Sequence, residues 1–189
     1  MPIDYPKELE TVTLHDGTLA TIRAIRPDDA LRLQAFHTRL SPESIYFRYH
    51  GTHPVLRPEE ARWLSEVDYR TRMALVATRE EGGEEHIIGV ARYSVIGPGT
   101  PDRAEVAIVV EDRYQGKGLG TLLVERLAAY ARAHGIREFV AEVSAENDRM
   151  LRFIRQIGFP VEKELVLGEW DIKIKLQGEP AHVKELTLV

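Results

Sequence analysis

Apolar positions along the 189-residue chain change period several times, and each change marks an element. VTLHDGTLATIRAI, from Val12 to Ile25, has two β-branched arms around Asp16-Gly17, a pair suited to a positive-φ turn, and predicts a hairpin. RPDDALRLQAFHTRL then switches to helical spacing, with Ala30, Leu31, Leu33 and Phe36 assigned to the buried side and Asp28 and Asp29 in the first turn, where carboxylates favour the helix dipole. Ser41-Pro42 and Arg57-Pro58 open two more helices. From Met73 the spacing turns to strands: MALVAT and HIIGVARYSVI flank a polar turn REEGGEE, and AEVAIVVE follows GPGTPD. Leu119, Leu122, Leu123, Leu127, Tyr130 and Ala131 form one stripe of a long helix that Gly135 ends. A strand IREFVAEV, a helix from Asp148 to Ile157, and a hairpin around Gly168 complete the order. This predicts an α/β fold, with a mostly antiparallel central sheet, helices on both faces and one strand-helix-strand crossover.

The length suits one domain spanning residues 1–189, with residues 1–8 and 177–189 expected to be flexible. A net charge of −5 argues against a general nucleic-acid binder. With no cysteine, disulfides, thiolate metal sites and cysteine nucleophiles are excluded. No apolar run reaches the ~20 residues of a membrane span, and the start lacks signal-peptide character, so no membrane partner and a cytoplasmic setting are expected. His50-Gly-Thr-His53 has no evident carboxylate partner, so no metal site is expected there.

The chemistry concentrates in EDRYQGKGLGTLL, Glu111 to Leu123. Alternating glycines running into a helix can turn backbone N–H groups toward a phosphate, with the helix dipole in support. The loop is not a Walker A motif, because no Gly-Lys-Ser/Thr closes the spacing. Nor is it the dinucleotide fingerprint, whose third glycine would fall at Thr121.

Gln115-x-x-Gly118-x-Gly120, together with Asn147 eleven residues before Gly158-Phe159, resembles the paired signatures of the GCN5-related N-acetyltransferases. The match covers about Val90 to Phe159. DGTLATIRAIRPDD and LSPESIYFRYHG extend a looser similarity to bacterial protein lysine acetyltransferases. The resemblance implies the fold of that superfamily, acetyl-CoA as co-substrate, and a strand before the loop that splays from its neighbour to admit the pantetheine arm. By the same resemblance Gln115, Gly116, Lys117, Gly118, Leu119, Gly120 and Thr121 hold the pyrophosphate. A Cβ at Gly118 would obstruct it. Ile108, Val109 and Val110 offer backbone to the pantetheine amides, Asn147 contacts the same arm, and Glu105 is the general base. The oxyanion donor is expected to be a backbone N–H near Ile108. Glu142 is the rival carboxylate, expected nearer the pantetheine than the amine entrance. Arg149, Arg152 and Arg155 form a basic stripe read as solvated and left outside the site. Many superfamily members carry a tyrosine where this chain has Ile154, so no dedicated general acid is expected, with Tyr114 and Tyr93 as fallbacks.

Three functions follow: acetylation of a protein lysine such as that of an acyl-CoA synthetase, acetylation of a free small amine, or acyl-CoA sensing without turnover. Relatives fused to a cyclic-nucleotide-binding domain exist, but these 189 residues leave no room for one, so that regulation is not carried over.

Overall fold

The computed structural model describes residues 6–177; the expectations for residues 1–5 and 178–189 lie outside the described residues. Strands β1 (Leu9–Thr13) and β2 (Leu19–Ala24) form the first hairpin, and Gly17 takes φ 83° in its turn. Helices α1 (Ala30–Thr38), α2 (Pro42–Tyr49) and α3 (Pro58–Ser65) follow, then β3 (Arg72–Glu81), β4 (Glu84–Ile96) and β5 (Thr100–Val110). The second half runs α4 (Leu119–Ala133), β6 (Glu138–Ser144), α5 (Asp148–Gln156), β7 (Val161–Val166) and β8 (Glu169–Lys175). The eight strands make one sheet in the order β1-β2-β3-β4-β5-β6-β8-β7, antiparallel throughout except for the β5–β6 pair.

The polar segment REEGGEE is mostly strand, with only Gly82 and Gly83, at φ 62° and 83°, left for the turn. Charged side chains are at home there because none is buried: Arg79, Glu80 and Glu84 are exposed, and Glu81 and Glu85 are half-buried. Leu31 is 77% exposed, whereas Leu33 and Phe36 are buried. Leu31 lies two residues, about 200°, before Leu33 on the helical wheel, so the two cannot share a face.

Residues on β4 and β5 alternate between two helical layers. Ala107 and Val109 face a recess walled by Leu33, Phe36 and Leu64 of α1 and α3. Ile108 and Val110 face α4, where Gly89 of β4 meets Leu119 and Leu123. Under the first layer lies a buried ionic hub: Arg23 grips Asp29 through two bonds of 2.7 and 2.8 Å, and Asp29 also accepts from the Arg26 N–H. Asp29 is thus an interior anchor rather than a surface complement to the helix dipole. Among the described residues no helix is long and apolar enough to cross a membrane.

Candidate active site

The site begins where β5 and β6 part. They pair only through Arg103↔Glu138, Ala104↔Phe139 and Glu105↔Val140. The closed end is clasped by the Glu138 carboxylate, which binds Arg103 on β5 at 2.6 Å and Lys175 on β8. That carboxyl lies below its ordinary range; burial opposes the shift, and the two cations outweigh it. Beyond Glu105, β6 stays with β8 while Val106–Val110 keeps β4 on one side and, among the described residues, has no strand on the other. Five residues at about 3.3 Å each leave roughly 16 Å of open backbone edge. Such an edge presents N–H and C=O groups to whatever extended ligand lies along it.

A cleft of about 1120 Å³ runs along this edge. Its walls include Ile108, Val109, Val110, Gln115, Gly116, Gly118, Gly120, Thr121 and Asn147, nine of the eleven positions the sequence assigned to the co-substrate. Glu105 also lines it and is exposed. It stands five residues into β5, not at its start, and is the last residue of β5 that still pairs with β6.

The loop glycines serve different ends. Gly116 and Gly118 take φ 72° and 87°, and Gly118 stands immediately before α4. A Cβ on Gly118 would lie 2.7 Å from the His15 ring, so the β1–β2 turn, and not only a ligand, favours glycine there. Gly120 has ordinary helical backbone, and its absent side chain admits Phe153 of α5, 3.2 Å from where a Cβ would be. Lys117 pairs with Asp16 at 2.7 Å, and its carbonyl accepts from the His15 N–H. The Asp16 carboxyl is held well below its usual range by that lysine and by Thr18. Leu119 is 1% exposed, leaving only its backbone for a ligand.

Side chains then tie the loop to both layers. Gln115 donates to the Val110 carbonyl at 2.8 Å and to Ser44 at 3.2 Å, while its own carbonyl accepts from Arg149. Asp112 accepts from the Ser41 N–H, the Ser41 hydroxyl and the Ser44 hydroxyl at 2.7–2.9 Å, fastening the start of α2 beside the loop. Asn147 caps α5 by accepting from the Met150 N–H at 3.0 Å, which leaves its amide nitrogen as the end free to serve the cleft.

Several wall residues escaped the sequence reading. Arg149 and Arg152, read as solvated, both line the cleft, whereas Arg155 does not. Arg149 and Arg152 fall in the first turns of α5, just past the Asn147 cap, whereas Arg155 falls in its last turn, and that nearness to the cap was the available signal. His15 also lines the cleft, brought in by a hairpin one hundred residues earlier. Glu142 shares the wall and the sheet face of Glu105, two residues further along β6 from the junction. Ile154 lines the cleft, but Tyr114 and Tyr93 do not: the Tyr114 hydroxyl donates to Glu81, and Tyr93 donates to the Arg70 carbonyl. His50 and His53 do have carboxylate neighbours, Glu169 at 3.0 Å and Glu60 at 3.6 Å, but separate ones.

Comparison with known proteins agrees with this geometry. Residues 36–159 match the model of the acetyltransferase (GNAT) family. Acetyltransferase PA5475 of Pseudomonas aeruginosa is 33% identical over 152 residues, 80% of this chain and 81% of that protein. Acetyltransferase Pat of Mycolicibacterium smegmatis is 32% identical over 85% of this chain, which spans 48% of Pat. The crystal structure of the GNAT domain of S. lividans PAT superposes with a TM-score of 0.82 at 34% identity, covering 91% of this chain and 99% of that one. The chain belongs to the acetyltransferase (GNAT) family, whose acetyl donor is acetyl-CoA.

Proposed function

We propose that this acetyltransferase acetylates the Nε of a lysine on a protein, with Glu105 as general base. The observation that carries the reading is the position of Glu105: an exposed carboxylate at the junction where the open edge of β5 begins. Acetyl-CoA supplies a thioester carbon open to attack by an amine. The chain's residues supply the rest. The loop 115–121 and the edge 106–110 bind and orient the donor, Asn147 adds an amide donor to the arm, and a backbone N–H near Ile108 serves the developing oxyanion.

A lysine ammonium, with a reference pKa of ~10.4, cannot attack until it loses a proton, and Glu105 accepts it. The C–N bond then forms and the C–S bond breaks. The departing sulfur takes up the second proton shed by the nitrogen, and Glu105 releases the first to solvent. Sulfur leaves without an acid, since the thiol reference pKa is ~8.5, which suits a cleft with Ile154 on its wall and neither Tyr114 nor Tyr93.

The similarity to S. lividans PAT and to Pat supports a protein acceptor. So does the open cleft, which a folded partner can approach. Incubation with acetyl-CoA, a cell extract and, in parallel, a panel of free amines tests it by mass spectrometry and initial rates. Protein lysines should be acetylated with kcat/KM at least ~10²-fold above any free amine, equivalent to ~2.7 kcal/mol of transition-state binding. Equal or faster acetylation of a free amine would give the small-molecule reading; tight acetyl-CoA binding with no transfer to any acceptor would give a sensor.

A further inference from the structure

Two arginines beside Glu105 stand out because, among the described residues, no carboxylate pairs with them. Arg92 of β4 lies opposite Ala107 of β5, and its neighbour on the same face, Ser94, lies opposite Glu105. Arg48 reaches the same place from α2 and lines both the main cleft and a small recess of about 30 Å³ that it shares with Arg92 and Tyr49. Both residues are half-buried. Several other buried or half-buried arginines do have carboxylates: Arg23 has Asp29 and Glu85, Arg39 has Glu111, and Arg103 has Glu138. Among the described residues, no carboxylate lies within 4.0 Å of Arg48 or Arg92. Arg92 donates to the Leu64 carbonyl at the end of α3, and Arg48 lies over the Tyr49 ring.

The charges around them are few. Glu105 attracts Arg48 without contact, Tyr49 interacts with both arginines, and Arg72 adds further positive charge near Arg92. Burial and then Arg48 lower the proton affinity of Arg92, bringing its pKa down to about 9. Holding two like charges together and partly out of water is unfavourable unless an anion joins them. A guanidinium fork matches a carboxylate in shape as well as charge. The donor's phosphates do not meet this need, because their loop lies at the opposite end of the open β5 edge.

We propose that Arg48 and Arg92 form a subsite for a carboxylate carried by the acceptor, so that the enzyme selects amines with an acidic group beside them. This rests on the reading that the acceptor amine docks at Glu105. The carboxylate comes either from an acidic side chain flanking a target lysine or from the α-carboxylate of a free amino acid.

The test compares matched acceptors that differ only in charge: blocked lysine peptides with Glu or Gln as flanking residues, and free amino acids against their primary amides. The wild type should favour one acidic series at least ~10-fold in kcat/KM, and the series that does so names the source. Arg48→Ala should bring that ratio to about one while leaving rates on the neutral partners within about threefold. Arg48→Lys should retain part of the preference, and Arg92→Lys should reduce it while preserving the contact to Leu64. Calorimetry of the acetylated peptides with the CoA complex reads the same ratio without turnover. No charge preference in the wild type, or one that survives Arg48→Ala, overturns the proposal. An equal loss of kcat on every acceptor would instead assign Arg48 to the reaction itself. Glu105→Gln assayed on neutral acceptors reports on the base alone, so a failure of that reading is seen separately from a failure of the subsite.

Discussion

Replacing Gly118 by alanine should destabilise the protein by an amount that depends on a residue one hundred positions away. Its φ of 87° is unfavourable to any side chain, at roughly 1–2 kcal/mol. The added Cβ would also lie 2.7 Å from Nε2 of His15, and the ring is the free end of a side chain that can rotate away at about 0.5–1.5 kcal/mol. Gly118→Ala alone should therefore cost about 1.5–3.5 kcal/mol. In a His15→Ala background only the backbone cost remains, so the cycle should show a coupling of about 0.5–1.5 kcal/mol, above the ~0.3–0.5 kcal/mol within which unrelated sites add. Gly116→Ala serves as the control: its φ is 72°, but a Cβ there meets nothing within 4 Å, so it should cost the backbone component and show no coupling to His15. Urea unfolding at constant m gives all the differences. Additive behaviour of Gly118→Ala and His15→Ala, or an equal coupling at Gly116, would refute the docking of the hairpin on the loop.

Asp29→Ala should cost about 3–5 kcal/mol in urea, because it leaves Arg23 buried without its bidentate partner, while Glu10→Ala at the exposed pair with Arg126 should cost under ~1 kcal/mol. Burial raises the Asp112 carboxyl, but bonds from Ser41 and Ser44 outweigh it and hold the group below its ordinary value; its stabilisation is present above the ordinary carboxylate value of ~3.9 and lost as pH falls through the lower folded value. Urea midpoints measured from pH 7 to 3 should fall less steeply in Asp112→Asn than in the wild type. Asp16→Ala removes a negative charge from the loop and frees Lys117, so calorimetry should show acetyl-CoA binding about 2–5-fold tighter at low salt, a gain that shrinks as salt rises.

Much of the fold was legible because its elements are long enough to show a period. The stripe on α4 and the alternation along β4 and β5 need no tertiary knowledge. Leu31 is the exception, because apolar character alone does not place a residue on the buried face: it lies about 200° from Leu33 on the helix. The loop glycines were legible as a cradle, but their separate reasons were not: Gly118 answers to His15 and Gly120 to Phe153, each far away in sequence. The parting of β5 from β6 came only by resemblance, since it depends on which residues pair rather than on what they are. Arg48 and Arg92 illustrate the limit most plainly. One sits in a short helix and the other mid-strand, with nothing in the sequence to connect them. Their significance is the absence of a carboxylate partner among the described residues, which appears only when neighbours are known.

The central claim is that Glu105 removes the proton from the acceptor amine, and it is tested most directly by single-turnover and steady-state rates of Glu105→Gln across pH beside Glu142→Gln. For Glu105→Gln, kcat should fall ~10²–10⁴-fold while the Kd for acetyl-CoA stays within about twofold, and raising the pH should restore part of the rate by deprotonating the amine in solution. Glu142→Gln should leave kcat within an order of magnitude. A near-normal kcat for Glu105→Gln together with a collapse in Glu142→Gln would contradict the account and move the base to β6.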